Sequence, residues 1–155
     1  MVADPIETAE GIGGSVAPVL EFRAPVRQTR TWRFPATTLS LRDLRRELRP
    51  FLAGSRLADG EIDDLVMAGC EAAANAVEHA RDPTQPCIDV LAEIDGRRVR
   101  VVVRDYGRWV TDRRAAGDRG RGLHLMTTLA AMSLTSGPRG TAVTLRSFAD
   151  GRRGS

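Results

Sequence analysis

Apolar residues recur along this chain with two different periods, and the change from one to the other divides it. Leu41, Leu44, Leu48, Phe51 and Leu52 return every three or four positions, the stripe of a helix with one buried face. Ser40 stands where it can cap that helix, and Gly54 ends it. A second helix is predicted after Asp59, with acidic Glu61, Asp63 and Asp64 in its positive first turn, running to about Ala80. Pro83 and Pro86 stop it from continuing. On a wheel of about 100° per residue, Ile62, Leu65, Val66, Ala73 and Val77 form the core face. Glu71, Asn75 and His79 fall opposite at successive i,i+4 spacing, beside the small Ala68 and Ala72.

Beyond Cys87 the period shortens to two. The runs 87–94 and 98–104 flank Asp95-Gly96, a strong hairpin signal. A polar, glycine-containing stretch from Gly107 to Arg119 follows, then a glycine loop and short helix from Gly120 to Ala131. Two last strands surround Gly137-Pro138-Arg139-Gly140 and end near Phe148. Upstream, two short extended segments are expected between Leu20 and Phe34, the better one from Thr29 to Phe34 ahead of Pro35. The expected fold class is α/β (α+β), a two-layer sandwich with helices on one face of a mainly antiparallel sheet. Residues 1–19, rich in Gly, Ala, Pro and acids without periodicity, read as a mobile tail, 20–149 as one domain, and 150–155 as a flexible C-terminus. Gly11-Ile12-Gly13-Gly14 has the composition of a phosphate loop, but no strand precedes it.

Length and composition agree with one domain: 155 residues with 42% apolar content suffice for a core. No apolar run approaches membrane-span length. Cys70 and Cys87 read as buried thiols in a reducing, cytoplasmic setting. All 23 basic residues are arginine. The absence of lysine excludes a lysine-dependent phosphate loop, the lysine of eukaryotic-type protein kinases, and Schiff-base chemistry. A pI near 9.6 invites a nucleic-acid reading. Net charge is only +3, acids and bases are interspersed, and no arginine block alternates with aromatics, so no direct nucleic-acid contact is expected.

Four short stretches carry candidate chemistry, and each has a bland alternative. Glu71, Asn75 and His79 offer a general base and oxygen ligands for Mg, or simply a solvated helix face. Asp105-Tyr106-Gly107 follows an apolar strand. A carboxylate there can receive an exocyclic amino group such as adenine's, with a glycine admitting close approach, or the three residues are an ordinary turn. Gly120-Arg121-Gly122 opens an apparent helix, where backbone N–H groups favour phosphate oxygens and Arg119 and Arg121 add charge. A helix-entry turn would look the same. Gly140-Thr141 begins a strand and can place a hydroxyl near a base edge.

The ordered set is more specific than its parts. Glu71-x-x-x-Asn75-x-x-x-His79-Ala80, Asp105-x-Gly107, Gly120-Arg121-Gly122-Leu123-x-Leu125-Met126 and Gly140-Thr141 resemble the N box and three glycine boxes of the GHKL ATPase superfamily. The wording around Glu71 and Gly120, in so short a chain, is most similar to the bacterial anti-sigma-factor serine kinases, over about residues 30–148. The resemblance implies a Bergerat-type site for ATP and Mg2+. Glu71 would be the general base and Asn75 the Mg ligand. Asp105 would read adenine, with Gly107 beneath the base and Thr141 near it. Gly120, Arg121, Gly122 and Leu123 would face the phosphates. The stretch from Trp109 to Arg119 takes the place of the ATP lid, with Arg119 or Arg121 steadying the γ-phosphate. Trp109 departs from the pattern, standing where larger relatives have a further glycine.

The activity so implied is a serine/threonine kinase acting on an anti-anti-sigma-type protein while sequestering a sigma factor, as a homodimer. The alternative is an ATP-dependent protein-binding module with little turnover. A sensor histidine kinase fragment is disfavoured, because the only histidines, His79 and His124, lie within the boxes and no phosphoacceptor helix stands apart.

Overall fold

The computed structural model describes residues 26–109 and 116–149. In chain order the elements are β1 (Gln28–Pro35), α1 (Ser40–Leu52), α2 (Asp59–His79), β2 (Ala80–Arg81), β3 (Cys87–Asp95), β4 (Arg98–Arg104), β5 (Arg108–Trp109), α3 (Ala116–Leu129), β6 (Ala131–Gly137) and β7 (Gly140–Arg146). Five strands form one antiparallel sheet in the order β1-β3-β4-β7-β6, and β2 and β5 form a separate two-stranded ribbon. The expected α+β class with a mainly antiparallel sheet holds.

Alternation along the strands creates the core. Ile88, Val90, Ala92 and Ile94 of β3, Val99, Val101 and Val103 of β4, and Val143 and Leu145 of β7 are buried toward the helices. Leu44, Leu48 and Leu52 of α1 and Ile62, Leu65 and Val66 of α2 meet them. Each fully buried aliphatic side chain contributes about 1.5–3 kcal/mol relative to exposure, so this seam anchors the elements that carry the site.

Several local expectations need correction. The better of the two extended segments expected before Pro35 is β1, and residues 20–25, on which the other falls, lie outside the described residues. Ser40 does not cap α1. Leu39 before it is already helical, and the Ser40 hydroxyl donates instead to Pro35 O at 2.5 Å. The hairpin loop is Gly96-Arg97 rather than Asp95-Gly96, because Asp95 pairs with Arg98. Gly96 supplies the positive φ of +61° that this turn needs. In α2 the N-terminus is secured by Glu61, whose carboxylate accepts the Ala58 N–H at 2.7 Å.

The wheel for α2 was too simple. The helix lies between α1, α3 and the sheet, so Ala68 and Ala72, on the face opposite the expected core stripe, are only 0% and 1% exposed. Asn75 is buried too. The largest shift concerns α3. It begins at Ala116, which places Gly120 and Gly122 inside a helix and not at its opening. Gly costs about 1 kcal/mol in a helix interior relative to Ala, and contact with α2 overrides that local penalty.

Candidate functional site

Three segments converge on one end of the sheet. The first is the turn after β4. Alternation brings Asp105 to the helix side, where it is 3% exposed. Its Oδ1 accepts the Gly107 N–H at 3.1 Å and the Thr141 N–H at 3.3 Å. Its own N–H donates to Thr141 O at 2.9 Å. The bond to the residue two positions on makes 105–107 an Asx-type turn, and the bonds to Thr141 lock it to β7. Thr141 is buried, its hydroxyl 3.1 Å from that of Ser136 on β6.

Two glycines are required by this geometry. A Cβ on Gly107 would lie 2.6 Å from Ala80 Cβ, so the turn sits directly on the end of α2. A Cβ on Gly140 would lie 2.1 Å from Asp105 O, and its φ of +143° is unfavourable for any L side chain. Gly140 and Ala80 therefore shape the site, although neither was counted among the binding residues. Both stood inside the quoted boxes, but only the tertiary contact reveals what they do.

The second segment is the middle of α2, and the third is α3 lying against it. Gly122 is buried where a Cβ would come 2.6 Å from Glu71 Oε1 and 3.2 Å from Asn75 Nδ2. The glycine thus leaves a notch directly over these two side chains. Asn75 Nδ2 is buried and has no hydrogen-bond partner among the described residues. An unsatisfied buried amide N–H costs about 1–3 kcal/mol unless a water, an ion or a ligand supplies the missing contact.

The remaining expected residues are placed less tightly. Leu123 is half-buried against the core and Arg121 is exposed. Arg119 and Gly120 belong to α3, but the position of the Arg119 side chain lies outside the description, as do residues 110–115 of the expected lid. At the lid's start, the Trp109 backbone pairs with Ala80 in the β2–β5 ribbon, so the residue that departs from the box pattern is strand. At its end, residues 116–119 form the first turn of α3. His124 is exposed on α3, and the Nε2 of His79 is 3.7 Å from Glu78 Oε2.

Glu71 also faces a second space. A groove of about 470 Å³ between α1 and α2 ends at its side chain, with Arg42, Arg45 and Met67 along the walls. Cys70 lines it as well, half-buried rather than fully buried, and burial pushes its thiol pKa upward. Cys87 is half-buried and likewise free. A larger groove, about 690 Å³, lies at the hairpin end of the sheet beside Arg98, Arg100 and Arg146 and shares no residue with the site.

A buried carboxylate locked beside a strand end, a buried amide nitrogen without a described partner and a glycine notch over a second carboxylate thus come together at one end of the sheet. The chain belongs to the histidine kinase-like ATPase domain family, whose model matches residues 34–147. It is similar to the structure of the RsbU and RsbW domains of Rv1364c from Mycobacterium tuberculosis, with 30% identity and a TM-score of 0.61. That match covers 77% of this chain and 32% of the other, so this chain spans about a third of that protein's length. It also matches the histidine kinase domain of the blue-light activated histidine kinase EL346 from Erythrobacter litoralis, at 17% identity and a TM-score of 0.46, over 74% of this chain and 61% of that one. Among the described residues, no helix is long and apolar enough to cross a membrane.

Proposed function

We propose that the chain is an ATP-dependent serine/threonine protein kinase and anti-sigma factor, phosphorylating an anti-anti-sigma-type protein and sequestering a sigma factor. The observation that carries the nucleotide part is the unpaired Asn75 amide beneath the Gly122 notch, next to Glu71. The similarity to a chain containing an RsbW domain supports the choice of partners.

Bound Mg-ATP supplies the transferable γ-phosphoryl group. Asn75 would hold the ion through Oδ1, its buried Nδ2 donor facing a phosphate oxygen. Among the described residues no group of three His, Cys, Asp or Glu side chains gathers around a metal-sized space. Phosphate and water oxygens would then complete the shell, the usual arrangement for Mg2+. Asp105, already fixed by two N–H donors, would receive the adenine amino group, with Gly107 beneath the base and Thr141 beside it. Arg121 and Arg119 would supply positive charge to the phosphates.

The phosphate-facing box acts through backbone N–H groups, yet those of Gly120, Gly122 and Leu123 lie within α3. Unwinding residues 116–119 would expose them at a new helix N-terminus, and the glycines keep the cost of that step low. Glu71 would take the proton of the acceptor hydroxyl. The α1–α2 groove, which Glu71 lines, would give a protein substrate access to that carboxylate. General-base assistance is typically worth about 10²–10⁴-fold.

The test is incubation with Mg-ATP and an anti-anti-sigma-type partner, with phosphoserine and phosphothreonine read by mass spectrometry. Transfer that Glu71→Ala leaves at the wild-type rate would remove the role given to Glu71. Absence of transfer from the wild-type chain would remove the kinase reading.

A further inference from the structure

The turn at 105–107 is gripped from both faces of the sheet, and only one grip belongs to the boxes. Asp105 and Gly107 are buried on the helix side. Tyr106 between them points to the outer face, continuing the alternation of Arg100, Val102 and Arg104. Its hydroxyl donates to Asp89 Oδ2 on β3. Asp89 is held in turn by Arg33 on β1, through Nε at 2.7 Å and a second guanidinium nitrogen at 2.9 Å. This is the bidentate fork that fixes a carboxylate's orientation as well as its position. The Arg104 guanidinium lies 5.1 Å from the Tyr106 ring centroid. The Tyr106 carbonyl accepts the N–H and the hydroxyl of Thr84, at 3.0 and 3.3 Å.

We infer that Tyr106 is a positioning residue for base recognition, a latch through which Asp89 and Arg33 hold Asp105 at a fixed height above the sheet. The inference rests on the nucleotide reading above and adds the source of its selectivity. The Tyr106 side chain bonds Asp89 on the outer face, away from the buried Asp105 carboxylate, and so acts through its neighbours. A carboxylate held rigidly welcomes an amino group and cannot retreat from an oxo group at the same place. A loosened carboxylate can retreat. Selectivity for adenine over hypoxanthine therefore measures how firmly the turn is held.

The test uses the full chain, with adenosine and inosine diphosphates in Mg2+, titrated by calorimetry into wild type, Tyr106→Phe, Asp89→Asn and the double variant. Wild type is expected to prefer the adenine nucleotide by about tenfold or more, since one misplaced polar contact costs about that much. Each single variant is expected to bind the adenine nucleotide several-fold more weakly and to lose most of the preference. The double variant should be no worse than the poorer single one, because both act on one chain of contacts.

Loss of global stability alone would weaken both nucleotides alike and leave their ratio intact. Wild-type selectivity retained in Tyr106→Phe would overturn the latch and leave the nucleotide site standing, as would full additivity in the double variant. A wild-type chain that binds neither nucleotide would overturn the site and the latch together.

Discussion

Replacing Gly122 by alanine should separate stability from function. The added Cβ would lie 2.6 Å from Glu71 Oε1, so that oxygen must move by about 0.4 Å or more, and 3.2 Å from Asn75 Nδ2, which must give slightly. The obstructing atoms are the ends of side chains and not backbone, so overpacking should cost near the low end of about 1–3 kcal/mol. Alanine in a helix interior recovers about 1 kcal/mol over glycine. The two nearly cancel. Net stability should stay within about 1 kcal/mol, a Tm change of about 4 °C or less for a chain of this size. On the role proposed for Glu71, transfer should not survive so well, because its carboxylate has been pushed off its position and the notch above Asn75 is filled. A misplacement of about 1 Å costs about 10²-fold in rate, so a loss of about tenfold or more is expected here. Circular dichroism melting and a phosphoryl-transfer assay, run on the same preparation, report the two quantities. Near-wild-type transfer by Gly122→Ala would refute the reasoning, and so would a loss of stability large enough to explain the loss of activity.

Other changes should behave differently. Gly140→Ala drives a Cβ to 2.1 Å from Asp105 O at positive φ, where backbone must yield, so a loss of about 3 kcal/mol and a Tm fall of about 10 °C are expected in thermal melts. Asn75→Ala removes an amide whose Nδ2 is buried without a partner among the described residues. It should leave the melting temperature without ligand nearly unchanged while abolishing the stabilisation by saturating Mg-ADP, about 2.7 kcal/mol at a hundredfold excess over Kd in the wild type. The Arg33 fork holds the Asp89 carboxyl below the usual carboxylate range, with Tyr106 adding to the effect. A depressed folded-state pKa contributes stability above the unfolded value near about 3.9, and that contribution disappears as pH falls through the folded value. Denaturant titrations of wild type and Asp89→Asn should thus differ by a constant amount from about pH 8 to 5 and converge at lower pH.

The parts of this fold that repeat locally were readable from residue order. The stripe at Leu41, Leu44 and Leu48 and the alternation through 87–104 needed only burial on one face, and the helices and hairpin follow within a residue or two. The bond between Thr141 and Asp105 was not readable locally, because it joins the end of β4 to the start of β7. What could not be read depends on neighbours distant in the chain. The start of α3 was missed because glycines argue against helix locally, and contact with α2 decides otherwise. Gly140 needs Asp105 O above it, and Gly107 needs Ala80 beneath it, before either becomes obligatory. The role of Tyr106 depends on Asp89 and Arg33, both remote in sequence and brought alongside by sheet register. Ser40 failed as a cap because Leu39 had already joined the helical turn.

The central claim is that Asp105, Asn75 and the Gly122 notch together bind an adenine nucleotide. Its most direct test is calorimetric titration of a non-hydrolysable ATP analogue with Mg2+ into the wild-type chain and into Asp105→Asn. One-to-one binding by the wild type, weakened about tenfold or more in Asp105→Asn, is the expected result. No binding by the wild type, or equal binding by both, would contradict it.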